Sequence, residues 1–175
     1  MSAEEAQPVI GSAPPGQRDS LLPVLDASFT GLYLRHSRRT LVDVETVLVA
    51  RLEDRPVGLV MLKLLSKEAG YVYYIAVLPS HRGKGIGRRL VTDSLAHFSR
   101  AGAGEVYATV GEDNEESNAL FRGQGFRRTD FGEVSRKYGA IRALAMYRGM
   151  WVVPGELILV KDAAPLPAAP PPATG

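Results

Sequence analysis

Short apolar blocks dominate the middle of the chain, and apolar residues at helical spacing separate them. Val44 to Leu52 and Val57 to Leu65 read as two strands. The polar turn Glu53-Asp-Arg-Pro56 joins them, which is a hairpin signal. Val72 to Leu78 is an uninterrupted apolar run ended by Pro79, so Tyr71–Val77 reads as a buried strand. Leu90, Val91, Leu95 and Phe98 then recur with the helical period, predicting a helix over Lys84–Arg100. A strand follows over Val106–Val110, a helix over Asn114–Gly123 and a further strand over Phe126–Phe131. Arg136–Met150 is helix-like, and Glu156–Val160 closes as a strand. Upstream, Leu21, Leu22, Leu25 and Phe29 share one helical face over Asp19–Phe29, and a basic, polar stretch runs from Leu34 to Thr40. Strands and helices interleave, so the fold class is α/β, and no internal repeat is visible.

The ends read differently. Residues 1–17 are rich in Pro, Gly and Ser and read as a poorly ordered segment; residues 163–175 contain only Ala, Pro, Leu, Thr and Gly. Prolines there block regular structure, so a disordered tail is expected. Residues 18–162 are left as one domain, which suits a chain of 175 residues and 18.9 kDa. A net charge of +2 is too small to argue for nucleic acid. No apolar run has membrane-spanning length and no signal-peptide pattern opens the chain, so a cytoplasmic protein is expected. The absence of cysteine excludes disulfides, a cysteine nucleophile and thiolate metal sites. His36, His81 and His97 have no carboxylate partners at ligand spacing, so no metal is expected.

Candidate chemistry concentrates just after the central strand. Arg82-Gly-Lys-Gly-Ile-Gly87 leads from that strand into the next helix. A strand, a glycine-rich turn and a helix start together present unpaired N–H groups and the positive end of a helix dipole, a site for phosphate or pyrophosphate. Arg82, Lys84, Arg88 and Arg89 add cationic charge. Gly83-Lys84 is followed by Gly85 rather than Ser or Thr, which rules out a Walker A loop. Gly83, Gly85 and Gly87 alternate, which does not fit the dinucleotide fingerprint. The competing reading is a glycine-rich turn with solvated arginines.

The order Ile75-Ala-Val-Leu-Pro79, then Arg82-x-x-Gly85-x-Gly87, resembles the acyl-CoA loop of the GNAT superfamily of acyltransferases. A second stretch, Asn114 to Phe126, is similar to that family's later motif through Asn114, Ser117, Leu120, Phe121, Gly125 and Phe126. Asn114 also reads as a helix N-cap and Gly125 as a helix terminator. An ordinary capped helix explains each residue singly. It does not explain both motifs in this order with a strand between them. The resemblance spans roughly Val44 to Phe126 and implies one GNAT-like domain, with a mixed, mostly antiparallel central sheet flanked by helices.

The resemblance also implies the chemistry: transfer of an acetyl group from acetyl-CoA to a primary amine, directly within a ternary complex. Backbone groups of Ile75, Ala76 and Val77 would meet the pantetheine arm, with the Val77 N–H polarising the thioester. Arg82, Gly83, Lys84, Gly85, Ile86, Gly87 and Arg88 would hold the pyrophosphate, and Arg88 or Arg89 the 3′-phosphate. Asn114 and Phe121 would border the cofactor arm. The acceptor is an amine of a small molecule or a protein, and a homodimer is compatible.

Four features depart from that pattern. Phe121 stands where many relatives carry the tyrosine that protonates the leaving thiolate. Tyr71 and Tyr73 occupy the strand positions where relatives often carry a Glu or His base; by alternation they share a face with Ile75 and Val77. Either tyrosine orders a water or donates a proton, or both simply pack. Thr109 stands where ribosomal-protein N-terminal acetyltransferases tend to carry a Glu, so the resemblance stops at the superfamily. Finally, Arg136–Trp151 separates the last two strands where a plain loop is common. It reads as packing or a dimer contact, or as a lid with Tyr138, Arg142, Tyr147 and Trp151 over the acceptor. The alternatives to amine acetylation are a CoA-binding regulatory module without turnover and an enzyme using a longer acyl-CoA.

Overall fold

The computed structural model describes residues 7–163. Seven strands form one sheet in the order β1-β2-β3-β4-β5-β7-β6. They are β1 (Val9–Ser12), β2 (Thr46–Leu52), β3 (Arg55–Ser66), β4 (Ala69–Val77), β5 (Glu105–Gly111), β6 (Arg127–Thr129) and β7 (Glu156–Asp162). All neighbours pair antiparallel except β4 and β5, which are parallel. The sheet is therefore mixed and mostly antiparallel. The hairpin read from Glu53-Asp-Arg-Pro56 is the β2–β3 connection, with Glu53 and Asp54 both at positive φ.

Six helices cover it: α1 (Leu22–Ser28), α2 (Gly31–Asp43), α3 (Ile86–Arg100), α4 (Glu115–Gly123), α5 (Phe131–Tyr138) and α6 (Ala140–Met150). Leu90, Val91 and Phe98 of α3 and Phe121 of α4 bury against Val60, Val72, Val106 and Leu159 of the sheet. Leu21, Val24, Leu25 and Leu41, from α1, α2 and the turn before them, meet Val47, Val49, Leu59 and Met61 in a second cluster. Ala143, Met146 and Met150 of α6 form a third cluster with Tyr71 and Tyr107. Periodic apolar burial of this kind is what holds each amphipathic element in place.

Several elements differ from the sequence reading. Val9–Ser12 is an edge strand paired with β2, within the segment expected to be poorly ordered. The basic stretch Leu34–Thr40 lies inside α2; only Ser37 and Leu41 of that helix are buried, which left little apolar signal. The sixth strand stops at Thr129 because Asp130 caps a new helix, its carboxylate accepting the Glu133 N–H at 2.8 Å. The single helix expected over Arg136–Met150 is two, broken at Gly139, whose φ of 84° no helix interior allows. Residues 164–175 of the expected tail lie outside the described residues.

Arg18 locks the α2 end of the molecule. It is 4% exposed, and its guanidinium donates to the Leu41 and Val44 carbonyls at 2.9 and 2.8 Å, and to Ala13, Val42 and Glu45 at 3.3–3.4 Å. The free carbonyls at the end of α2 thus find their partner in one planar cation.

Candidate active site

β4 and β5 pair only over Ala69–Val72 and Glu105–Ala108. Beyond that, β4 stays with β3 as far as Val77, and β5 stays with β7 as far as Gly111. The two strands therefore part, and a wedge opens in the middle of the sheet. The β4 edge facing it has no strand partner past Val72 among the described residues.

A bulge sits at the opening. Met61 pairs with Tyr74 and Leu62 with Val72, which leaves Tyr73 as the extra residue. One inserted residue reverses the side-chain phase of everything after it. Val72, Ile75 and Val77 consequently face the α3 side, while Tyr74 and Ala76 face the α1–α2 side. The expected sharing of one face by Tyr71, Tyr73, Ile75 and Val77 is thus corrected. Strict alternation had no means of seeing the bulge.

Two neighbouring hollows flank the wedge. The larger is a groove of about 780 Å³ between β4, the loop before α3 and α4. Ile75, Ala76, Val77, Arg82, Gly83, Gly85, Ile86, Gly87, Arg88 and Asn114 line it, as do Ser28 and His81. Gly83 and Gly85 have φ of 74° and 76°, and a Cβ on either would enter open space. They turn the chain so that the first N–H groups of α3 point into the groove; Gly85 stands at the N-cap with no side chain capping it. Arg82 ties the loop to β4 by donating to the Val77 carbonyl at 3.2 Å. Lys84 lines a neighbouring surface with Gln7 and Pro8 instead, and Arg89 donates to Gln7 at 3.1 Å, so neither borders the groove.

The smaller hollow, about 210 Å³, lies on the far side of the opening. Phe29, Ile75, Asn114 and Ser117 border both hollows. Phe121 is buried there edge-on to Phe126, with ring centroids 5.0 Å apart. Asn114 caps α4, accepting the Ser117 N–H at 3.0 Å. Tyr71 is 1% exposed; its hydroxyl donates to the Met150 carbonyl at 2.8 Å and lies 2.7 Å from the Thr109 hydroxyl. Burial pushes its pKa far up, so the phenol stays protonated. Tyr73 is half-buried and stacks on Tyr74 at 5.3 Å.

Three residues unseen in the sequence, together with the lid candidate Trp151, complete the small hollow. Tyr33 comes from α2, Asp113 from the end of β5, Trp151 from the end of α6 and Glu156 from β7. Trp151 stacks on His36 with centroids 3.6 Å apart and planes 5° from parallel. His36 Nδ1 lies 2.8 Å from the Tyr74 hydroxyl. Of the four residues proposed as a lid, only Trp151 reaches the cavity. Tyr138 donates to Glu105, Arg142 is near Glu68, and Tyr147 packs on Phe131. The aromatic run Tyr71-Val-Tyr-Tyr74 was the one local hint of an aromatic site.

Comparison with known proteins agrees with this architecture. The fold is that of N-acetyltransferase structures. A CoA complex of the PaiA N-acetyltransferase from Thermoplasma acidophilum superposes with a TM-score of 0.67 at 14% identity, covering 89% of this chain and 98% of that one. A GNAT-family acetyltransferase structure from Desulfovibrio desulfuricans gives 0.70 at 12% identity, covering 90% and 99%. Residues 18–126, more than half of the chain, match the model of the Acetyltransferase (GNAT) family, and the chain belongs to that family. Among named relatives, the N-alpha-acetyltransferase RimI of Mycobacterium tuberculosis is 46% identical over 76 residues, 43% of this chain and 44% of that protein. The L-2,4-diaminobutyric acid acetyltransferase of Nocardia farcinica is 33% identical over 85 residues, 47% and 44%. The aligned part spans under half the length of these curated relatives. Among the described residues no helix is long and apolar enough to cross a membrane, and no group of His, Asp and Glu is arranged to hold a metal.

Proposed function

We propose that this protein transfers the acetyl group of acetyl-CoA to a primary amine, by direct attack within a ternary complex. The observation that carries the reading is that two hollows meet at one gap in the sheet, with Phe29, Ile75, Asn114 and Ser117 lining both. One is lined by glycines and a helix start, the other by aromatic rings and carboxylates. The groove suits the donor: Gly83, Gly85, Ile86, Gly87 and Arg88 take the pyrophosphate, with Arg82 holding the loop in place. Lys84 contributes charge from outside the groove. Ile75, Ala76 and Val77 offer the unpaired β4 edge to the pantetheine arm, and Asn114 and Phe121 border its end.

When bound, acetyl-CoA supplies the activated acyl group; the chain supplies position and a place for protons. Tyr71 acts as a positioning residue, since its proton is already given to Met150. Phe121 has no proton for the departing sulfur. A thiol has a pKa of about 8.5, so a thiolate leaves at neutral pH without a dedicated acid. The names of the relatives and the CoA in the PaiA complex support the same donor and a nitrogen acceptor.

Calorimetric titration with acetyl-CoA, followed by CoA release over a panel of amines, tests this. Binding plus release on at least one amine is expected. No binding overturns the reading. Binding with no release on any amine favours the regulatory module, for which the absent Phe121 hydroxyl is the specific argument, and release only from longer thioesters favours a different donor.

A further inference from the structure

The small hollow is lined by two carboxylates and by no Lys, Arg or His. Glu156 faces Gly111 across the β5–β7 ladder, at the level where β5 has left β4. Its Oε2 accepts the Val153 N–H at 3.0 Å, and its Oε1 accepts the Tyr33 hydroxyl at 3.1 Å. Each carboxylate oxygen has a second lone pair, so a donor from the cavity can be taken as well. Burial first, and the Glu156 charge after it, hold the Tyr33 hydroxyl above its usual pKa. Tyr74 and Trp151 supply aromatic walls, and such faces attract a cation. Asp113 brings the second negative charge to the same space.

We infer that Glu156 receives the acceptor as an ammonium, and that the site selects primary amines with no carboxylate on the amine-bearing carbon, so that free α-amino acids are excluded. This rests on the proposed acetyl transfer and names its acceptor class. An α-carboxylate would lie against Glu156 and Asp113 with no cation lining the cavity to offset it, and like charges in a half-buried space repel strongly. The reaction balances without another component. The ammonium loses one proton to solvent by way of Glu156, and its nitrogen lone pair attacks the thioester carbon. The C–N bond forms, the C–S bond breaks, and the second nitrogen proton ends on the CoA thiolate. Sequence reading found no carboxylate on the strand where relatives carry one; the fold brings one from β7.

The test uses phenethylamine and phenylalanine, which differ only by the carboxylate, with the full chain at saturating acetyl-CoA. Wild type should prefer phenethylamine in kcat/KM by roughly 100-fold or more, as expected for one repelled charge. In Glu156→Gln, KM for phenethylamine should rise about 30-fold and the preference should shrink to about tenfold, with Asp113→Asn shrinking it further. The glutamine amide oxygen can still accept from Val153 or Tyr33, so melting temperature and acetyl-CoA affinity should stay unchanged. Those two readouts separate a charge effect from a purely structural one.

Comparable turnover of both probes overturns the inference. So does a preference that Glu156→Gln leaves intact. Calorimetry of phenethylamine on the protein–CoA complex serves as an arm independent of turnover. Wild type should bind more tightly than Glu156→Gln there; equal binding, or none, overturns the inference. Failure of acetyl-CoA itself to bind instead removes the proposed function, so the two failures are distinguishable.

Discussion

Substituting Gly85 by alanine and by glutamate separates backbone strain from charge at the proposed donor groove. Gly85 has φ of 76°, and a Cβ there meets nothing within 4 Å. Alanine therefore costs only the left-handed conformation, about 1–2 kcal/mol. At about 2–4 °C per kcal/mol for a chain of this size, its melting point should fall by about 2–8 °C. Glutamate carries the same strain and adds a carboxylate beside the first N–H groups of α3. At roughly 5 Å from a bound phosphate, one like-charge pair costs between about 1 kcal/mol at water's dielectric and about 3 kcal/mol near a protein surface. A pyrophosphate doubles the charge, so about 3 kcal/mol is a fair centre, or roughly 150-fold in Kd. Calorimetry with acetyl-CoA should show Gly85→Ala close to wild type and Gly85→Glu weaker by about two orders of magnitude. Raising salt should narrow the gap between the two variants. Glutamate binding within threefold of alanine would refute the placement of the pyrophosphate at this turn.

Other parts of the molecule make equally direct predictions. Arg18→Met strands the carbonyls of Leu41 and Val44, so stability should fall by about 3 kcal/mol in denaturant unfolding; a loss under about 1 kcal/mol would show that water replaces the guanidinium freely. Gly70→Ala places a Cβ 2.5 Å from the Phe98 ring atom Cγ, and forcing that ring aside should cost about 3 kcal/mol by the same assay. His36 and His97 are held below the usual pKa near 6.5, by burial first and by Arg39 and Arg100 after it. The unfolded chain thus takes up these protons at higher pH than the folded one. The stability each imidazole contributes is complete above about pH 6.5 and is lost as pH falls through the lower folded value. His36→Gln should flatten that acid-side decline in melting temperature, and an unchanged slope would remove His36 from the cause.

What was legible in the sequence was local. The Gly83, Gly85 and Gly87 turn, the Asn114 cap and the strand ending at Pro79 depend on residues a few positions apart, and each stands where spacing put it. The small hollow is assembled from distant segments. Tyr33, Trp151 and Glu156 meet only because α2, the end of α6 and β7 converge on the wedge. The Tyr73 bulge is a property of the β3–β4 pairing, so alternation within β4 alone predicts the wrong face for half the strand. Gly139 was visible inside the apparent helix Arg136–Met150, and its positive φ is the physical reason that one element became two. The short β1 edge and the mostly exposed α2 bury too little to leave a periodic signal.

The order in which the proposed acceptor pocket is held together bears on how it tolerates change. Trp151 sits at φ of 51°, a conformation that bulky residues avoid. It is kept there by stacking on His36, which is in turn fixed by the Tyr74 hydroxyl and by its place on α2. Arg18 clamps the end of that same helix, at Leu41 and Val44, to the segment that precedes α1. The aromatic wall of the small hollow, the proposed acceptor site, therefore depends on a chain of contacts reaching the amino-terminal segment, while the proposed donor groove depends on β4, α3 and α4. Disturbing Arg18 should loosen the acceptor side first and leave acetyl-CoA affinity in the folded protein nearly intact. Loss of acetyl-CoA binding in Arg18→Met at temperatures where the chain remains folded would contradict that division of the site into two separately supported halves.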